Sequence, residues 1–109
     1  MKCHELLTWK DAERKCNKEE GHLASVEDAA ENDFIFKMIG DEGVWIGAIK
    51  SKSSGKWKWT DSTSWNYTMP LPYTSYSLGV DDICLGMRIE TYNDWNEESC
   101  NDQFYPICK

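Results

Sequence analysis

Trp95, Asn96 and Glu97 stand side by side in a stretch that runs from Cys84 through Cys100 to Cys108. Oxygen donors on neighbouring residues suit a hard cation such as Ca²⁺, which gathers six to eight oxygens at about 2.3–2.6 Å. Trp95 beside them is of the type that buries. Cysteines at these spacings read as covalent staples of an extracellular domain. The chain has five cysteines, an odd number, so at least one has no partner within it. No Cys-x-x-Cys pair supports zinc. Catalytic chemistry is thinly represented. His4 lies at a terminus, and His22 sits in a Gly-His-Leu segment that reads as structural. Cys3 beside His4 is not held in a pocket, nothing arranges Glu97 and Glu98 around a cleft, and neither a phosphate loop nor H-E-x-x-H is present. The chain is read as a non-enzyme.

The elements that must position these residues fit one domain, because 109 residues leave no room for a second core. Hydrophobic residues at 40% suffice for a packed interior, and six Trp, five Tyr and three Phe supply its bulk. A net charge of −7 argues against nucleic acid, which calls for a basic stripe. The acidity serves either solubility or local clustering around a cation. No apolar run approaches the ~18 residues of a membrane-spanning helix. Met1 to Glu5 is polar and carries no secretory signal, whereas the cysteines favour an oxidising compartment. The expectation is a mature or excised domain with a start Met, secreted or extracellular. Asn66-Tyr67-Thr68 is an N-glycosylation triplet, which agrees with secretion.

Thr8 to Asp11 resembles a capping box, and a helix is expected from Trp9 to Glu19, with Trp9, Ala12 and Cys16 on its buried stripe and Gly21 ending it. Ser25 is expected to cap a second helix over Val26 to Ile39, with Ala30, Phe34 and Met38 on one face. Residues 40–43 read as a turn. Val44 to Ile49 reads as a buried strand, 51–55 as a turn, and Lys56 to Thr60 as a half-buried strand of period two. Residues 61–79 lack periodicity; so long a loop in so small a domain is usually functional. Ile83 to Ile89, Trp95 to Glu98 and Tyr105 to Lys109 complete the strands. Two helices followed by short antiparallel strands give an α+β class.

These pieces resemble the C-type lectin-like domain over Trp9 to Lys109. Trp9-Lys-Asp-Ala-Glu-Arg-Lys-Cys16 is similar to the family's first helix and Gly21-His-Leu-Ala-Ser-Val26 to the link that follows. Val44-Trp-Ile-Gly47 resembles its central strand, and Trp57, Trp59 and Asp61 the next. Cys84, Trp95, Cys100 and Cys108 complete the framework in order. The resemblance implies two helices packed on small antiparallel sheets, a long loop region, and disulfides Cys16–Cys108 and Cys84–Cys100. Four cysteines by themselves allow three pairings. Cys3 resembles the second cysteine of an N-terminal hairpin whose partner would lie upstream, so it is free or joins another chain in a disulfide-linked dimer.

In sugar-binding members of that family, five side chains hold one Ca²⁺. Two come from a Glu-Pro-Asn triplet in the loop, one from a Glu two residues before the cysteine that Cys84 resembles, and two from Trp-Asn-Asp. Here Asp82 takes the place of that Glu, Asn96 matches, and Glu97 replaces Asp. Leu71-Pro72-Tyr73, or Met69-Pro70-Leu71, puts apolar residues where the loop carboxylate belongs. Asp81, carbonyls and water are left to fill the gaps, so calcium binding is expected to be weak or absent. Trp65, Tyr67, Leu71, Tyr73, Ser75 and Tyr76 give the loop a Tyr/Ser-rich composition suited to protein contact, unless the aromatics fold inward. The resemblance implies an extracellular recognition module that binds a protein or glycan ligand through the long-loop face, with neither nucleic acid nor membrane insertion. The alternatives are a calcium-dependent carbohydrate-binding lectin with a degenerate site, and a secreted lectin-fold inhibitor or ice-binding protein.

Overall fold

Thr8, in extended conformation, caps α1 (Trp9–Lys18) by accepting a hydrogen bond from the Asp11 amide at 3.4 Å. Trp9, Ala12 and Cys16 are buried on its inner stripe, as the spacing requires. The helix ends one residue before the expected Glu19, and Glu20, not Gly21, takes the left-handed conformation with φ 64°. Gly21 is needed for another reason: a Cβ there would lie 2.7 Å from the Lys109 carbonyl oxygen. The computed structural model describes residues 5–39, 43–51, 55–65, 82–88 and 95–109.

The second helix corrects the sequence expectation. α2 spans Ala29–Phe36, and its cap is Asp28, whose carboxylate accepts from the Glu31 amide at 2.8 Å. Ser25 is wholly buried and donates instead to the Asp61 carboxylate at 2.6 Å. A short polar side chain outcompetes an equivalent one as a cap when the latter has a stronger tertiary partner. The inward face is Asn32, Ile35 and, past the helix, Ile39; Ala30 and Phe34 point to solvent.

The strands are β1 (Val44–Lys50), β2 (Trp57–Trp59), β3 (Ile83–Met87), β4 (Trp95–Ser99) and β5 (Tyr105–Pro106). They form one sheet in the order β2-β1-β3-β4, antiparallel throughout that path. β5 adds to β1 in parallel, pairing Val44 with Tyr105, so the final strand departs from the all-antiparallel expectation and is shorter than Tyr105 to Lys109. The chain beyond it stays near the body through the Leu23–Cys108 bridge. The β1–β3 register shifts between Trp45 and Ile49. Within that interval the Gly47 amide donates to Ala24 at 2.8 Å, an approach that leaves no room for a side chain.

The pleat of β1 divides the interior. Val44, Ile46 and Ala48 join Ile35, Ile39, Leu85, Met87, Trp59 and Trp95 in the larger core. Trp45 joins Trp9, Ala12, Cys16, Leu23 and Cys84 in the smaller one. Two indole N–H groups are satisfied across elements: Trp9 donates to Ile46 O at 2.9 Å and Trp45 to Leu7 O at 2.8 Å. Disulfides join Cys16 to Cys108 and Cys84 to Cys100. The first ties α1 to the chain end, and the second closes the β3–β4 pair.

Candidate functional site

The β3–β4 pair and the loop that enters it carry the candidate residues. Antiparallel register sets Asn96 opposite Gly86 and Glu97 opposite Leu85. Trp95 is fully buried, and its indole N–H donates to the Asn32 side-chain oxygen at 2.8 Å. This bond sets the start of β4, and hence Asn96 and Glu97, against α2. Asn32 is 2% exposed and was not singled out in the sequence. The signal available was its place at i with Ile35 at i+3 and Ile39 at i+7, a stripe one step out of phase with the expected one.

Pleat alternation sends Glu97 to the side of Trp95, where it is only 8% exposed, and Asn96 to the other side. Asp82 precedes β3, three positions beyond the residue that faces Glu97, which at about 3.4 Å per residue separates their backbones by about 10 Å. It lines a cleft of about 230 Å³ with Thr8, Lys10, Ser99, Cys100 and Asn101, at the foot of α1. Among the described residues no group of three acidic, histidine or cysteine side chains is placed to hold a metal ion. Asp82, Asn96 and Glu97 together offer five side-chain oxygens, fewer than a calcium ion takes. The described donors by themselves do not complete a calcium shell. Asp81, Cys3, the glycosylation candidate Asn66, and the loop residues Tyr67, Leu71, Tyr73, Ser75 and Tyr76 lie outside the described residues, as do Met69 and Pro70.

Trp65 is the one loop candidate within them, and it packs inward. Its ring stacks on Trp59 at 4.6 Å and on Trp57 at 6.1 Å, and meets Trp95 edge-on at 5.8 Å. Trp59 meets Trp95 at 5.6 Å and 86°. Offset and edge-on pairs of this kind add about 0.5–1.5 kcal/mol each beyond the area they bury. Four tryptophans thus fasten the entry of the loop to the core below Trp95.

A polar network holds the same entry from the other side. Asp61 accepts from Ser25 at 2.6 Å and from the Thr63 amide at 3.0 Å. Burial pushes the Asp61 carboxyl up, but the hydrogen bonds from Ser25 and Thr63, with the Lys109 charge, outweigh it and hold the group below its usual value. Lys109 donates to the Ser25 hydroxyl at 3.1 Å and pairs with Glu31 at 2.7 Å. Ser25, Asp61 and Lys109 have the types of a nucleophile with its activators, but Ser25 has no exposed surface. His22 lies 2.6 Å from a Glu13 carboxylate oxygen, and the other oxygen of Glu13 accepts from the Leu23 amide at 2.9 Å. This is a structural brace for the link after α1.

A sheet bordered by two helices, with a disulfide from the first helix to the chain end and another across β3–β4, is matched by the profile described as Lectin C-type domain, over residues 5–109. The chain belongs to the C-type lectin domain family. It is 33% identical over 106 residues to the C-type lectin domain family 4 member K of Mus musculus, covering 94% of this chain and 32% of that protein. This C-type lectin domain thus spans about a third of the length of that curated relative. Among solved structures, a calcium-independent type II antifreeze protein superposes with a TM-score of 0.86 at 30% identity, over 98% of this chain and 81% of that one. The cow C-type carbohydrate-recognition domain of CD23, solved with a GlcNAc2Man3 oligosaccharide, gives 0.80 at 25% identity, over 94% and 79%. Among the described residues no helix of the lectin domain is long and apolar enough to cross a membrane.

Proposed function

We propose that this C-type lectin domain is an extracellular, non-enzymatic recognition module whose long-loop face binds a protein or glycoprotein with weak or no calcium dependence. The observation that carries the reading is the dispersal of the donors. Glu97 is buried on the Trp95 side of β4, Asp82 lines the cleft at the foot of α1, and the backbone gap between them is about 10 Å by register. Asp82 is one methylene shorter than the Glu it replaces, so it spans such a gap less well. The anchored entry of the loop supports the rest: Trp65 stacks on Trp59, and Asp61 accepts from the Thr63 amide at the base of the loop. Oxidised Cys16–Cys108 and Cys84–Cys100 support an extracellular setting.

Calorimetric titration with Ca²⁺, run beside a glycan array with and without chelator, tests this. The expected outcome is no site tighter than ~10 μM and no chelator-sensitive glycan signal. Chelator-sensitive binding of mannose or galactose overturns the reading in favour of a calcium-dependent lectin. A second reading, ice binding, has one observation in its favour, the likeness to the calcium-independent antifreeze protein. Thermal hysteresis in chelator-treated solution distinguishes it.

A further inference from the structure

Phe34 stands in the last turn of α2 with 66% of its surface in solvent, beside buried Ile35 and partly buried Phe36. Such a helix is apolar over more of its circumference than burial against one core requires. Single exposed apolar residues need no explanation, but Phe34 is not alone. It borders a groove of about 90 Å³ whose floor is Ile35, Met38, Ile107 and Ala24, with Glu31 and Lys109 on its wall. The space matches one aliphatic side chain.

The charge around the groove says what kind of chain would bring that side chain. Glu27, Asp28 and Asp33 are exposed and Glu31 half-exposed along one turn and a half of chain, against Lys37 and Lys109. Lys109 is already engaged by Glu31 at 2.7 Å and faces Glu27 at 3.8 Å. Among the described residues, four carboxylates against two ammonium groups leave a local excess of negative charge, in a chain whose net charge is −7. A second copy of the same acidic surface is repelled, whereas a basic segment is attracted.

We infer that the α2 groove docks a cationic peptide segment of another protein, one aliphatic side chain entering between Phe34 and Met38 and flanking Lys or Arg residues meeting Glu27 and Asp33. The Phe34 ring covers the anchor and offers its face to a neighbouring cation. Phe34, Met38, Glu27 and Asp33 are not among the loop-face candidates, whereas Lys109 on the groove wall also reaches Ser25 in the network at the loop entry.

The test uses the whole chain with its disulfides intact and a ten-residue synthetic peptide carrying one leucine flanked on each side by two lysines. Binding is read by amide chemical shifts and by fluorescence anisotropy. Expected are shifts confined to α2 and the 105–109 segment, and affinity that falls as salt rises. Replacing the peptide leucine by alanine, or making Phe34→Ser, is expected to weaken binding by about tenfold, the effect of one buried aliphatic contact. Glu27→Gln with Asp33→Asn is expected to weaken it severalfold and flatten the salt dependence. Phe34 is exposed, so near-ultraviolet circular dichroism of the variant is expected to stay that of the parent. Equal binding of the leucine and alanine peptides, or shifts spread over the whole acidic surface, reduces the contact to general charge attraction and overturns the proposal. So does a concentration-dependent dimer in sedimentation that Phe34→Ser abolishes, since a second copy would then be the occupant.

Discussion

The bond between Trp95 and Asn32 is the contact by which the candidate strand is seated, and its removal has a magnitude that follows from burial. Both residues are nearly inaccessible, Trp95 at 0% and Asn32 at 2%. Asn32→Ala leaves the indole N–H without its acceptor at 2.8 Å, which costs about 1–3 kcal/mol, and the vacated volume adds about 1 kcal/mol more. The sum is about 2–4 kcal/mol, or a fall in Tm of roughly 8–15 °C for a domain of this size. Asn32→Asp keeps the shape and, while protonated, the acceptor. Burial disfavours the carboxylate, so the new group's folded pKa rises above its unfolded value of about 3.9. The folded state then holds a proton that the unfolded state has released, and the variant loses stability relative to wild type as pH rises through that interval. Urea unfolding of the disulfide-intact protein at pH 4 and pH 7, followed by tryptophan fluorescence, measures both effects. An Asn32→Ala loss below about 0.5 kcal/mol, within the range of ordinary surface substitutions, would refute the reasoning. So would an Asn32→Asp deficit that is the same at both pH values.

Asp61→Asn removes the charge that Ser25 and Thr63 stabilise and is expected to cost about 1–2 kcal/mol near neutral pH. Because the folded pKa of Asp61 is depressed, that stability is present above the unfolded value and lost as pH falls through the folded one; the gap between variant and wild type in urea midpoint closes in strong acid. Gly47→Ala places a Cβ 2.5 Å from the Leu23 carbonyl oxygen, backbone against backbone, and is expected to cost about 1–3 kcal/mol or more, read as a fall in urea midpoint. Replacing both cysteines of Cys16–Cys108 by alanine is expected to destabilise by about 4–5 kcal/mol in the chain-entropy account, and the Cys84–Cys100 pair by about 3 kcal/mol. The ordering follows from sequence separations of 92 and 16, and Tm values in calorimetry rank the two.

Local patterns carried much of this architecture. A stripe at i, i+3 and i+7 is enough to orient α1, because helical periodicity and the buried face coincide there. The unbroken apolar run from Val44 reads as a buried strand and the alternation around Trp57 as a half-buried one, and the ordered motifs around four cysteines point to the family that the profile match shows. Net charge alone argues against a nucleic-acid partner, since the sum of charges does not depend on folding.

Tertiary structure decided what several residues do when more than one role was open. Ser25 and Asp28 are both good caps. The choice fell to Asp28 because Asp61, 36 residues from Ser25, takes the Ser25 hydroxyl. Asn32 turns inward because an indole 63 residues away needs an acceptor, and that turns Phe34 out. Asn96 and Glu97 are equal neighbours in the chain, yet the pleat of β4 buries Glu97 on the side of Trp95 and sends Asn96 to the opposite face. A sequence states which oxygens are adjacent along the backbone. Whether they converge on one point in space depends on register between strands far apart in the chain, and only the packed sheet sets that.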